Sequence, residues 1–110
     1  MVNRQAPGLD RVFGALADPT RRAIIARLDA AEALTVSEIA APLPISLPAV
    51  MKHLDVLEQA GLVTRRKAGR TVTCRLDGTG IRHAMGWLSH YQRFWGESLD
   101  RLAAMLEDRR

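Results

Sequence analysis

A mainly α-helical chain with one small β-hairpin is the fold the sequence predicts. Three observations carry it. Apolar residues recur at helical spacing through most of the chain, two β-rich runs flank Ala68-Gly69-Arg70, and an apolar seam runs from Ile81 to Leu106. The chain has 110 residues, 47% of them hydrophobic and 25% charged. That balance suits one compact domain and disfavours disorder or a fibrous repeat. A chain this short buries only about two-thirds of its unfolded surface, so a second copy that covers more apolar area is expected on size alone.

Residues 1–8, ending in Pro7-Gly8, read as a flexible N-terminal arm, and residues 9–110 as a single domain. Leu9, Val12, Phe13 and Leu16 mark a short first helix. Asp18 before Pro19 has the pattern of an N-cap followed by proline at the first helical position. It opens a second helix, with Ile24, Ile25 and Leu28 as an apolar stripe and Arg21, Arg22 and Arg27 on a solvated face within reach of phosphates. Thr35-Val36-Ser37-Glu38 fits a capping box, and Leu34 with Ile39 fits a hydrophobic staple, so a helix starts at Val36. Pro42 and Pro44 must end it near Ala41.

Ser46 caps the following helix, which runs over 47–60, buries Val50, Leu54 and Leu57, and stops at Gly61 in a left-handed C-terminal cap. Two short helices joined by a tight connection are the parts of a helix-turn-helix, here residues 35–60, with the second as recognition helix. The runs 62–67 and 71–76 then form a hairpin, a wing over 62–76. Val72, Cys74 and Leu76 alternate with Thr71, Thr73 and Arg75, which turns Cys74 inward as a small buried hydrophobe. The terminal helix is placed at 80–109. Its seam members Ile81, Met85, Leu88, Gln92, Trp95, Leu99, Leu102 and Leu106 lie alternately four and three apart. Trp87, Tyr91 and Phe94 widen that seam beyond what a monomer of this size covers, so the helix is read as a dimerisation helix.

Charge is unevenly placed. The net +4 arises because residues 61–82 hold six basic side chains against one acidic, whereas residues 1–60 sum to −1 and residues 83–110 to zero. Arg65, Arg66, Lys67 and Arg70 form the centre of this segment, as a phosphate-contacting wing requires; the competing reading is a hairpin tip with incidental charge. The single Cys74 rules out an internal disulfide and a paired-thiolate zinc site. His83 and His90 lack the carboxylate and second-histidine spacing of a zinc site around them, and no metal or cofactor is expected. With His53 they are the only histidines, and no nucleophile motif or glycine-rich phosphate loop accompanies them, so no enzyme is expected. There is no apolar run of ~18 residues and no secretory signal core, so the expectation is a cytoplasmic protein without membrane contact.

Phe13 to Arg22, Thr35 to Ala40, Ser46 to Leu54, Leu57 and Ala60 to Val63 resemble the ArsR/SmtB family of winged-helix repressors, over roughly Leu9 to Leu106. Trp87, Tyr91, Arg93-Phe94-Trp95, Leu99, Asp100 and Leu102 are similar to a branch that lacks the family's metal-site motifs and is often encoded beside START-like proteins. The resemblance implies a winged helix-turn-helix and a sequence-specific, autoregulatory transcriptional repressor that binds double-stranded DNA as a homodimer on an inverted repeat. It also implies that Ser46, Leu47, Pro48, Met51, Lys52 and His53 face the major groove. Here the sequence departs from the family, where Gln and Ser are common at the positions of Leu47, Pro48 and Met51. Apolar groups cannot hydrogen-bond base edges, but they can pack on thymine methyls, leaving Lys52 to a guanine or a phosphate. The dimer interface is expected at Leu9, Phe13, Trp95, Leu99, Leu102 and Leu106. Four aromatics within nine residues, Trp87 to Trp95, also make a candidate seat for a small-molecule effector. The competing function is a protein-interaction module that uses the aromatic terminal helix and has lost DNA binding.

Overall fold

The computed structural model describes residues 6–107, with side chains described for 8–92 and 96–107. Elements follow in the order α1 (Ala6–Leu16), α2 (Pro19–Ala31), β1 (Ala33–Thr35), α3 (Val36–Ala40), α4 (Leu47–Gln59), β2 (Val63–Ala68), β3 (Thr71–Leu76) and α5 (Thr79–Glu107). The core draws on every helix: Val12 and Ala15 from α1, Ile24 and Leu28 from α2, Ile39 from α3, Val50, Leu54 and Leu57 from α4, and Ala84 from α5. Leu62, Val63 and Cys74 close it from the sheet side.

Helix boundaries follow their capping chemistry. The Asp18 carboxylate accepts from the Arg21 amide at 3.0 Å, with Pro19 in the first turn of α2. The capping box of α3 is complete. The Glu38 amide donates to Thr35 Oγ1 at 3.1 Å, and the Thr35 amide donates to Glu38 Oε1 at 2.8 Å. Ser46 Oγ accepts from the Ala49 amide at 3.3 Å to start α4. Gly61, at φ +70°, ends it. The Leu62 amide donates to Leu57 O and the Gly61 amide to Glu58 O, the two bonds of a Schellman motif.

Three expectations need correction. The hairpin is part of a three-stranded antiparallel sheet in the order β1-β3-β2, with Leu34 opposite Cys74. Three residues of Ala-Leu-Thr carry no strand signal of their own, and β1 exists because β3 supplies its hydrogen bonds. Residues 6–8 belong to α1 rather than to an arm, because Pro7 is tolerated in a first helical turn; residues 1–5 lie outside the described residues. Finally, α5 begins at Thr79, where Asp77 Oδ1 accepts from both the Thr79 amide and its hydroxyl, at 3.0 and 2.8 Å. The expected end of that helix at 108–109 also lies outside the described residues.

Candidate nucleic-acid interface

Strand alternation splits the wing's cations between two faces. Across β2 and β3, Arg65 pairs with Cys74 and Lys67 with Val72, while Thr64 pairs with Arg75 and Arg66 with Thr73. Paired residues share a face, so Arg65 and Lys67 lie on the side that covers the core. Arg66 joins Arg75, Thr64 and Thr73 on the outer side, along a depression of about 430 Å³.

Arg65 is committed inside the protein. Its Nη2 donates to Asp55 Oδ1 at 2.6 Å and to Glu58 Oε1 at 2.7 Å, and its side chain is only 17% exposed. The Arg65 hydrogen bond holds the Glu58 carboxyl below the usual carboxylate range, and Glu58 in turn raises the guanidinium. Arg65 therefore fastens β2 to the outer side of α4. Arg66, Lys67 and Arg70 are exposed and make no ion pair with any described residue. The two acids were legible, since Asp55 and Glu58 stand one turn apart on α4 and β2 follows directly, but their partner could be picked only once the strand's faces were assigned.

The recognition helix likewise has a tethered side and a free one. On the tethered side, Arg21 Nη1 lies 3.2 Å from His53 Nδ1, within hydrogen-bonding distance. The same guanidinium donates from Nε to Ala15 O at 2.8 Å and from Nη2 to Gly14 O at 3.1 Å, at the C-terminal end of α1. His53 is thus turned toward α1 and α2, away from Leu47 and Lys52. Arg22 donates to Leu16 O at 2.6 Å, and Arg27 donates to Ile39 O and Glu38 O at 2.9 and 2.8 Å. The three arginines of α2, read from the sequence as a solvated face, instead donate to carbonyls near the ends of α1 and α3.

On the free side, Ser46, Leu47, Pro48 and Lys52 are exposed and Met51 is half-buried. Leu47 and Met51 line a groove of about 350 Å³ together with Thr35, Val36 and Ser37 at the start of α3 and Arg70, Thr71 and Val72 of the wing. The helix-turn-helix and the wing tip therefore share one groove, lined by four apolar side chains, three hydroxyl residues and Arg70. Sequence reasoning did not place Val36, Ser37 or Val72 there.

The expected dimer residues are divided. Leu9 is half-buried, and the Phe13 ring meets Trp87 edge-on at 5.9 Å. Leu99, Leu102 and Leu106 are exposed, while the Trp95 side chain lies outside the described residues. His83 packs close to Gly8 and His90 meets Tyr91 edge-on at 4.9 Å, so both histidine rings serve in packing. Burial pushes the Cys74 thiol up, away from the reactive thiolate. Among the described residues, no group of three metal-ligating side chains converges, and no helix is long and apolar enough to cross a membrane.

Residues 16–66 match the profile of a helix-turn-helix domain. Over 98 residues the chain is 44% identical to the HTH-type transcriptional regulator Rv2034 of Mycobacterium tuberculosis, covering 89% of this chain and 88% of that one. A crystal structure of an ArsR family transcriptional regulator superposes with a TM-score of 0.76 at 38% identity, covering 87% of this chain and 97% of that one. The chain belongs to the ArsR/SmtB family. Another relative is the transcriptional repressor SdpR of Bacillus subtilis, 30% identical over 83 residues, or 76% of this chain and 91% of that one. As an ArsR/SmtB-family protein the chain is a DNA-binding transcriptional regulator and not an enzyme. The reading as a protein-interaction module is not favoured.

Proposed function

We propose that the chain acts in the cytoplasm as a homodimeric, autoregulatory repressor, with α5 as the dimer seam and one recognition helix in each half of an inverted repeat. The observation that carries this reading is the uncovered apolar face of α5. Met85, Leu99, Leu102, Met105 and Leu106 are all more than half exposed, between 51% and 63%. The radius of gyration, 18.4 Å, exceeds the roughly 13 Å of a compact domain of this length, because that helix projects beyond the core. A second copy laid along the seam removes this surface from water and generates a two-fold axis. Such an axis presents two copies of Ser46 to Lys52 and so matches two half-sites about one helical turn of DNA apart. The cluster of Phe13, Trp87 and Tyr91, with Trp87 and Tyr91 at 5.1 Å, supports a small apolar effector seated beside this seam.

Sedimentation velocity should give two chains per particle, and footprinting on the protein's own promoter should give a protected region with two-fold symmetry. A monomer in sedimentation, or saturation at one chain per protected site, would contradict the paired mechanism.

A further inference from the structure

We propose that this regulator recognises thymine in its operator through the base's 5-methyl group, received by the apolar groove between α4 and the wing. The proposal rests on the reading of this surface as the operator-binding face. Leu47, 54% exposed, and Met51 stand one turn apart on α4, and Val36 and Val72 complete the apolar lining from α3 and β3. None of these four side chains carries an N–H or O–H group. Pro48, beside them in the first turn of α4, lacks even a backbone donor. Three hydroxyl residues, Thr35, Ser37 and Thr71, share the lining from α3 and the wing, and of these Thr35 Oγ1 is turned back as a helix cap onto the Glu38 amide. The two side chains that α4 brings to the groove, Leu47 and Met51, therefore offer a base edge apolar contact and no hydrogen bond.

Its rim selects the occupant. Arg70 lines the groove, Lys52 stands exposed on the next turn of α4, and no acidic side chain takes part in the lining. Cations beside the exposed apolar side chains of α4 complement a polyanion that also presents an apolar group. In the major groove of DNA the thymine methyl is that group, since all other base-edge features there are donors or acceptors. A methyl group lying between Leu47 and Met51 leaves the phosphates on either side to Lys52 and Arg70. The operator half-site thus carries a thymine at the position facing Leu47 and Met51, and discrimination against cytosine at that position comes from apolar contact.

The test uses the full chain and an operator selected from random duplexes. Each thymine is replaced in turn by deoxyuridine, which removes the methyl and keeps every hydrogen-bonding group of the base edge. One thymine per half-site should respond, with binding weakened about fourfold, and about fifteenfold when both half-sites are changed. Leu47→Ser lies at an exposed position and should fold normally, and Met51→Gln keeps the side-chain length. In both, the response to uracil should fall toward unity, as a coupled pair requires. Specific binding with a flat uracil scan would overturn the methyl reading and leave operator binding standing. A uracil response undiminished in both variants would also overturn it, because the methyl would then sit elsewhere. Failure to select any specific duplex would remove the operator reading itself.

Discussion

The two ends of α5 carry the same apolar spacing in different physical settings. Through the buried Gly80 and Ala84 the helix joins a closed head, in which Ile24, Ile39, Val50, Leu54, Leu57 and Cys74 are all fully buried, although its first seam member, Ile81, stays 41% exposed. Further along, the seam members Met85, Leu88, Leu99, Leu102 and Leu106 stand in the open, with Leu99 63% exposed. The head also satisfies its own polar groups, since no buried side-chain N or O atom among the described residues lacks a partner. The contrast teaches that an apolar stripe read from sequence identifies a surface to be covered without saying which chain covers it. In the head the cover is other elements of the same chain, and along the projecting half of α5, the arm, the proposed cover is a second copy.

The sharpest way to break this comparison is to damage each half separately. Leu54→Ala, in the head, should lower unfolding free energy by about 2–5 kcal/mol, whatever the protein concentration. Leu102→Asp, in the arm, should leave a folded head while abolishing dimers in sedimentation, because it would place an unpaired charge in the seam. It should also remove the concentration dependence of melting that a dimer shows. Equal loss of melting temperature in the two variants, with both still dimeric, would erase the distinction between head and arm.

At the boundary, Gly80 is the sensitive position. A Cβ there would stand 2.3 Å from the carbonyl oxygen of Ala60. Gly80→Ala should therefore cost about 3 kcal/mol by overpacking, measured by urea unfolding, although it adds one methyl group. A smaller effect belongs to Arg21→Ala, which removes the side-chain donor from the Ala15 carbonyl and the His53 ring and leaves the Gly14 carbonyl with the Ala17 amide alone. About 1–2 kcal/mol of stability should be lost, with the slope of DNA affinity against salt unchanged. A flattened slope would mean that Arg21 meets phosphate instead.

Within the wing the contrast recurs on a smaller scale. Arg66→Ala together with Arg70→Ala should leave melting unaltered and flatten the salt slope by about one unit per lost phosphate contact. Arg65→Ala should instead weaken the attachment of β2 to α4. The mildest probe is acid. Asp18, Glu38 and Glu58 all titrate below their ordinary values, held down respectively by the Arg21 amide, by Thr35 and by Arg65. Their contribution is complete above the usual carboxylate range near about pH 4 and is lost as pH falls through the lowered values. Thermal melts between neutral and acid pH should show this decline, and Glu38→Gln with Glu58→Gln should make it shallower.

What the sequence revealed depended on how local the cause is. The caps at Asp18, Thr35, Ser46 and Gly61 were legible because a cap is a relation between residues three or four apart. The core members Val50, Leu54 and Leu57 were legible for the same reason, through helical spacing. β1 was not, since Ala33 to Thr35 become a strand only by pairing with residues forty positions away. Nor was the engagement of Arg65, which a count of basic residues groups with Arg66 although strand alternation turns the two to opposite faces. The same limit applied to Arg21, Arg22 and Arg27, whose partners are carbonyls that no composition or motif can reveal. For the site, residue types and elements were readable, whereas the groove that joins Val36 and Val72 to Leu47 and Met51 required three elements in space.

The meeting of Gly61 and Gly80 sets a lever. The Gly80 amide donates to the Gly61 carbonyl at 2.8 Å, so the end of the recognition helix's cap and the first turn of α5 are fixed to each other by one bond between two backbones. The direction in which the arm leaves the head is set there together with the packing of Phe13 on Trp87, and then carried along a helix of about 44 Å. A change of about 5° at this joint displaces the far end by about 4 Å, close to the rise of one base pair. In a pair built along α5 the joint acts as a gauge, and the operator length that such a pair measures is written in the absence of two methyl groups.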